Sequence, residues 1–205
     1  YDTLTSLPNR ALLYSLLEQA LTEAHRRHSH GAILFIDLNR FKHINDSFGH
    51  APADMLLAEV GRRLAAALRK EDVVSRLGGD EFVIALFDIN LRDDAAIVAR
   101  KVLAALAEPF FIEGHEVLLS ASIGISIFPE DGRDAETLIR NADVAMYRAK
   151  QLGTGGFLYY SREMNLRSLE RLKTEGGLRH ALERNEFLLH FQPQLELNSG
   201  RIIGT

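Results

Sequence analysis

The 205-residue chain contains no cysteine and no tryptophan, only five prolines, and no long apolar run. Without cysteine there is no disulfide, no thiolate zinc site and no cysteine nucleophile, and a reducing compartment is compatible. No apolar stretch reaches the roughly 18 residues of a membrane-spanning helix, and no signal peptide is evident. Nor is there an excess of basic charge: 24 Lys and Arg stand against 28 Asp and Glu, a net charge of -4. Such a chain offers no positive field to a phosphate backbone, which argues against general nucleic-acid binding. Its length suffices for one good core plus an appendage. The chain opens abruptly at Tyr1-Asp2 and closes at Gly204-Thr205, which reads as a piece of a longer protein.

What the chain does have is Gly78-Gly79-Asp80-Glu81-Phe82, set between the apolar runs 73–77 and 82–87. Gly-Gly between strand-like runs predicts a tight hairpin, because glycine adopts positive φ without steric cost. A glycine pair also lets a ligand approach the backbone closely. Two carboxylates follow at once. A nucleotide–metal site needs both features: room over the backbone and hard oxygen ligands for Mg²⁺. Taken alone, the string is as readily a solvated turn.

Leu12, Leu13, Leu16, Leu17, Ala20 and Leu21 form a helical stripe over 10–27, preceded by Pro8-Asn9. Ala32-Ile33-Leu34-Phe35-Ile36 is wholly apolar and ends at Asp37, the pattern of a buried strand. Pro52 suits the first turn of a helix on which Leu56, Val60, Leu64 and Leu68 recur every four residues. A helix is predicted over 94–107 and a strand over 117–128, where 122–127 alternates small or polar with apolar residues. Asp134 is placed to cap a helix running to Lys150. This order suits an α+β domain with helices against a mostly antiparallel sheet. After Tyr160 the composition shifts. Residues 161–184 are charged and helical, broken at Gly176-Gly177, where two glycines cost about 2 kcal/mol in a helix interior. Residues 186–193 read as a strand.

Arg76-Leu77-Gly78-Gly79-Asp80-Glu81-Phe82 resembles the signature of the GGDEF family, the diguanylate cyclases. Phe41-Lys42-His43-Ile44-Asn45-Asp46-Ser47-Phe48-Gly49-His50 is similar to that family's FKxxND–GH pattern, and 141–150 to its NADxAMYxAK helix. The resemblance covers about Asp2 to Tyr160. It implies a ferredoxin-like sheet, related to the palm of nucleotidyl cyclases, with the β-hairpin carrying the site. It implies nucleotidyl transfer: two GTP condense to cyclic di-GMP and two pyrophosphates across a head-to-head homodimer, with two Mg²⁺ per site and Mn²⁺ as a substitute.

Carried onto matching positions, the resemblance gives the metals to Asp37, the Leu38 carbonyl, Asp80 and Glu81, with Asp80 and Glu81 catalytic. Asn45 and Asp54 would read guanine. A carboxylate accepts from guanine N1–H and N2–H₂, a donor pair that adenine lacks. Phosphates would meet Lys150 and the amides of Leu38, Asn39, Arg40 and Phe41, with Lys42, Gly78 and Gly79 also against substrate. From the residues alone, Asp37 can also be read as a helix cap, Asn45-Asp46 as a turn, and Lys150 as a compensating charge at a helix end. Arg69 and Asp72 form an RxxD whose Arg lies nine residues before Gly78. That register matches the family's inhibitory site for the product cyclic di-GMP; otherwise the two are a surface pair.

Two departures are visible. Ala53 replaces the family's usual Gly, and its methyl is expected to crowd the base. Thr154 stands where the family often has a second phosphate-binding Arg, an expected loss of about 1–3 kcal/mol. A second reading therefore stays open: a weak or inactive GTP-binding module that regulates a neighbouring domain. Phe191-Gln192-Pro193-Gln194 and Gly200-Arg201-Ile202-Ile203-Gly204 look like the opening strands of an EAL domain, the cyclic di-GMP phosphodiesterase, without its barrel or metal ligands. The expected organisation is a GGDEF domain over 1–160, a helical linker over 161–184 and the start of an EAL domain over 185–205. The resemblance further implies a cytoplasmic domain with an N-terminal sensor. Membrane attachment of the whole protein stays open.

Overall fold

Strand β1 (His30–Leu38) is buried on both faces, with only His30 exposed, as its unbroken apolar run requires. It is the middle strand of the sheet. β1 pairs antiparallel with β3 (Glu81–Ile89) on one side and β6 (Ala121–Phe128) on the other. β2 (Val73–Gly78) extends the sheet beyond β3, and β7 (Gly156–Tyr159) runs parallel to β6, giving the order β2-β3-β1-β6-β7. The computed structural model describes residues 1–89, 91–153, 155–164, 178, 181, 184 and 186–204. The chain divides into two units, Tyr1–Met164 and Asn165–Thr205.

Helices cover both faces of the five-stranded sheet. Ala32, Leu34, Ile36 and Leu38 share a core with Val60 and Leu64 of α3 (His50–Ala67) and Val102 and Leu106 of α4 (Arg92–Ala107). Ile33 and Phe35 point the other way, to Leu13 and Leu17 of α1 (Arg10–Arg27) and Leu138 and Ala142 of α5 (Ala135–Leu152). Both outer helices start as their sequences predict. Asn9 accepts from the Leu12 amide at 3.0 Å, and Asp134 from the Thr137 amide at 2.7 Å. The α+β class expected from the sequence is the one observed.

Three local expectations change. Residues 117–128 are not one strand: β5 (His115–Val117) closes a separate hairpin with β4 (Phe110–Ile112), and β6 begins only at Ala121. Between them Leu119 drops into the core, an interruption that a period of two does not reveal. The small and polar residues of β6 do not face solvent, for all eight positions are buried. They make room for α5: a methyl at Gly124 would lie 1.9 Å from the Ala142 carbonyl oxygen, and Ser126 donates to the Leu138 carbonyl at 2.8 Å. Asn45 and Asp46 lie not in a turn but in a separate helix, α2 (Phe41–Phe48).

In the second unit, β8 (Gln194–Leu195) and β9 (Ile202–Gly204) form a short antiparallel pair. The strand expected over 186–193 does not form among the described residues, and Phe187, Leu188, Leu189 and Phe191 are exposed. A strand needs a neighbour for its backbone groups, and no described residue supplies one there. Most of the predicted 161–184 helix, including the Gly176-Gly177 break, lies outside the described residues.

Candidate active site

The antiparallel register makes Asp37, near the end of β1, the direct partner of Glu81 on β3 and of Ser122 on β6. Direct partners on one face hold their Cβ atoms about 4.5–5.5 Å apart. Asp37 is 5% exposed. Gly78 still pairs with Glu81 as the last residue of β2, so Asp80 sits in the turn and Glu81 opens β3. Gly79 holds φ +53, and no atom lies within 4 Å of where a Cβ would stand at Gly78 or Gly79. The turn therefore needs glycine for its backbone angle, and the space above it is open.

Arg76 holds this turn in place. Its Nε and Nη2 donate to the Gly79 carbonyl at 3.0 and 2.8 Å, and its Nη1 donates to Asp2 at 3.1 and 3.2 Å. Asp2 also accepts from the Thr5 amide and hydroxyl, at 2.8 and 2.7 Å. Nothing local in the sequence marks Asp2 or the turn-holding role of Arg76, because the two meet across 74 positions.

Lys150, in the last turn of α5, reaches across to Asp37. Its Nζ donates to Oδ1 at 2.9 Å and also to Oδ2. Burial pushes the Asp37 carboxyl pKa up; Lys150 pulls it back, and Asp80 adds to the rise. The Glu81 carboxyl is also raised, by burial first and then by Asp143, Asp37 and Asp80, against a small pull from Arg10. Asp143, three residues into the 141–150 motif, is raised by burial and by Asp37. It is a fourth carboxylate, beside those that the hairpin and the end of β1 supply. Its position in the motif carried no charge signal by itself; only the fold turns it towards β1.

Among the described residues, no group of three or more acidic or histidine side chains closes into a ready-made metal cage. Mg²⁺ does not need one, since it is usually held by one or two carboxylates with waters and phosphates. The donor set fits that use. Asp37, Asp80 and Glu81 are hard oxygen donors at one end of the sheet, where Asp37 is paired with the ammonium of Lys150.

The expected phosphate amides are only partly available. The Leu38 amide donates to the Asp80 carbonyl at 3.4 Å and the Asn39 amide to the Ser120 carbonyl at 2.8 Å. Those at Arg40 and Phe41 open α2, where the first N–H groups of a helix have no partner within it. The Phe41 ring is buried in the core, so at this residue only the backbone is left for a ligand to meet. A cleft of about 580 Å³ adjoins, lined by Asn39, Arg40, His43, Ser120, Ser122 and Lys150. Asn39 is fixed across it: it donates to Ser120 Oγ at 3.1 Å and accepts from Ser122 Oγ at 2.9 Å.

Asn45 lies half-buried on α2, Lys42 exposed on the same helix and Asp54 exposed on α3. Ala53 is 1% exposed and part of the core, so its methyl packs inward and does not crowd a base as expected. Arg69 and Asp72 sit at the other end of β2 from the hairpin. Asp72 accepts from the Arg69 amide at 3.2 Å, and burial pushes its carboxyl pKa up. Thr154 lies outside the described residues. No helix among the described residues is long and apolar enough to cross a membrane.

The profile of the family "Diguanylate cyclase, GGDEF domain" matches residues 1–155. The bifunctional diguanylate cyclase/cyclic di-GMP phosphodiesterase MucR of Pseudomonas aeruginosa is 45% identical over 204 residues, covering 100% of this chain and 30% of MucR. The cyclic di-GMP phosphodiesterase NbdA of the same organism is 37% identical, over 98% of this chain and 26% of its own length. The chain thus spans under a third of either relative. Among solved structures, a form of P. aeruginosa TpbB (YfiN) comprising only the GGDEF domain superposes with a TM-score of 0.80 at 38% identity, covering 83% of this chain and 99% of that one. With its carboxylate-bearing hairpin beside the end of β1 and this match across most of its length, the chain belongs to the GGDEF family of diguanylate cyclase domains.

Proposed function

We propose that the domain condenses two GTP molecules into cyclic di-GMP and two pyrophosphates. The observation that carries this reading is the meeting of Asp37 and Glu81 on neighbouring strands, beside the open Gly78–Gly79 turn and within reach of Lys150. Two loaded domains face each other as a homodimer, and the 3′-hydroxyl of each GTP attacks the α-phosphorus of the other. Two P–O bonds form, two α–β phosphoanhydride links break, and two pyrophosphates leave. Asp37, the Leu38 carbonyl, Asp80 and Glu81 would hold Mg²⁺, which supplies Lewis-acid activation of the hydroxyl and neutralises phosphate charge. Asp80 directly follows the open Gly78–Gly79 turn and is the candidate proton acceptor. Lys150 and the Arg40 and Phe41 amides bind phosphates; Asn45 and Asp54 select guanine. The test is incubation of the chain with GTP and Mg²⁺ and chromatography for cyclic di-GMP. Asp80→Asn should lower product formation by about a hundredfold or more; an unchanged rate would remove Asp80 from this role.

A second reading rests on NbdA, a relative whose name records only phosphodiesterase activity. In it, the domain binds GTP without condensing it and regulates an adjoining EAL domain. Thermal protection by GTP with no product, even from an enforced dimer, would select it.

A further inference from the structure

We propose that Lys150 is an exchangeable counter-ion: it holds Asp37 in the nucleotide-free domain and yields that carboxylate to a divalent cation when nucleotide phosphates offer it another partner. The inference rests on the reading of this site as a GTP and metal site.

Asp37 is almost fully buried at the end of the central strand, where an unpaired carboxylate would be strongly disfavoured. Lys150 meets that need with a single ammonium engaged to both carboxylate oxygens. The two partners differ in freedom. The Asp37 side chain is 8% exposed and fixed in a sheet, while the Lys150 side chain is 44% exposed at the end of α5, on a flexible four-carbon stem. Both of the described hydrogen bonds of its ammonium go to Asp37, and the same side chain lines the 580 Å³ cleft beside Arg40 and Ser120. It can leave Asp37 for that cleft without moving the backbone.

The two cations compete. Mg²⁺ bound to a carboxylate oxygen at about 2.0–2.1 Å would stand a few ångströms from an ammonium on the same group. Like charges that close, in a partly dry site, repel. Lys150 therefore lowers cation affinity while nucleotide is absent. Phosphates in the cleft draw the ammonium away and free Asp37, so cation and nucleotide promote each other's binding. By linkage, the same factor must appear in both directions.

The experiment measures Mn²⁺ binding to the whole chain at pH 8 by electron paramagnetic resonance of free Mn²⁺. The probe nucleotide is a GTP analogue with a methylene in place of the α–β bridging oxygen. Wild type is compared with Lys150→Met, Lys150→Arg and Asp37→Asn. Without nucleotide, Lys150→Met should bind Mn²⁺ roughly three- to tenfold more tightly than wild type. Lys150→Arg, which keeps the charge, should stay near wild type, and Asp37→Asn should lose the site. The gain in Mn²⁺ affinity that the analogue produces in wild type should shrink in Lys150→Met. Equal or weaker Mn²⁺ binding by Lys150→Met, with wild-type Mn²⁺ and analogue binding intact, overturns the exchange and leaves the cyclase reading standing. Lys150→Arg behaving like Lys150→Met also overturns it. Absence of both Mn²⁺ and analogue binding in wild type overturns the GTP–metal reading and the exchange together.

Discussion

Arg76 grips the carbonyl oxygen of Gly79 through two donors of one guanidinium, at 3.0 and 2.8 Å, while its third nitrogen holds Asp2. A planar fork can serve two acceptors in fixed directions; an ammonium is a point charge and cannot. Arg76→Lys should keep the charge but release the turn. The expected cost is about 1–3 kcal/mol in stability, with a fall in cyclic di-GMP formation larger than that of a control destabilised elsewhere to the same Tm. Denaturant unfolding and product assay on both proteins read the two effects separately.

The carboxylates at the end of the sheet predict an unusual pH response. The Glu81 and Asp143 pKa values are raised in the folded protein, by burial first and then by one another's neighbours. A raised value means that the folded protein holds the proton more tightly than the unfolded chain does. The contribution is therefore fully favourable below the unfolded value of about 4 and is lost as pH rises through the folded values. Asp143→Asn removes part of the repulsion. Its Tm should exceed that of wild type by about 2 °C at pH 8, since Asp143 reaches solvent and is screened, with no gain near pH 3.5. A Tm at or below wild type at pH 8 contradicts this.

Gly79 sits at φ +53 with open space around it, so its replacement meets backbone strain and no clash. Gly79→Ala should cost about 1 kcal/mol. Calorimetry should show a small fall in Tm and an intact fold, while turnover drops further because Asp80 follows directly in the turn.

Arg69→Ala leaves an exposed position whose side chain makes no described hydrogen bond, and the 69–72 turn keeps its backbone contacts to Asp72. Stability to denaturant should change by less than about 0.5 kcal/mol. If this turn takes the product, inhibition by added cyclic di-GMP weakens; unchanged inhibition removes Arg69 from that role.

The parts of the fold written in contiguous residues are legible in the sequence. β1 shows itself as an unbroken apolar run, and α1 and α5 show their stripes and their caps at Asn9 and Asp134. The hairpin is legible because glycine at positive φ has few alternatives. What stays hidden depends on partners distant in sequence. Arg76 finds Asp2 across 74 positions, and Lys150 finds Asp37 across 113. The inward methyl of Ala53 and the helix-facing Ser126 of β6 depend on which helix covers which face, information that period and propensity do not contain.

Gly124 works as a depth stop. The backbone of α5 rests against it so closely that a single methyl would meet the Ala142 oxygen at 1.9 Å and the Met146 nitrogen at 2.1 Å. The height of the helix above the sheet is thus set by a residue with no side chain. Lys150 stands one to two turns further along that helix, so the depth stop also sets how far its stem must stretch to meet Asp37. A position that bears no charge thereby bears on the reach of one that does.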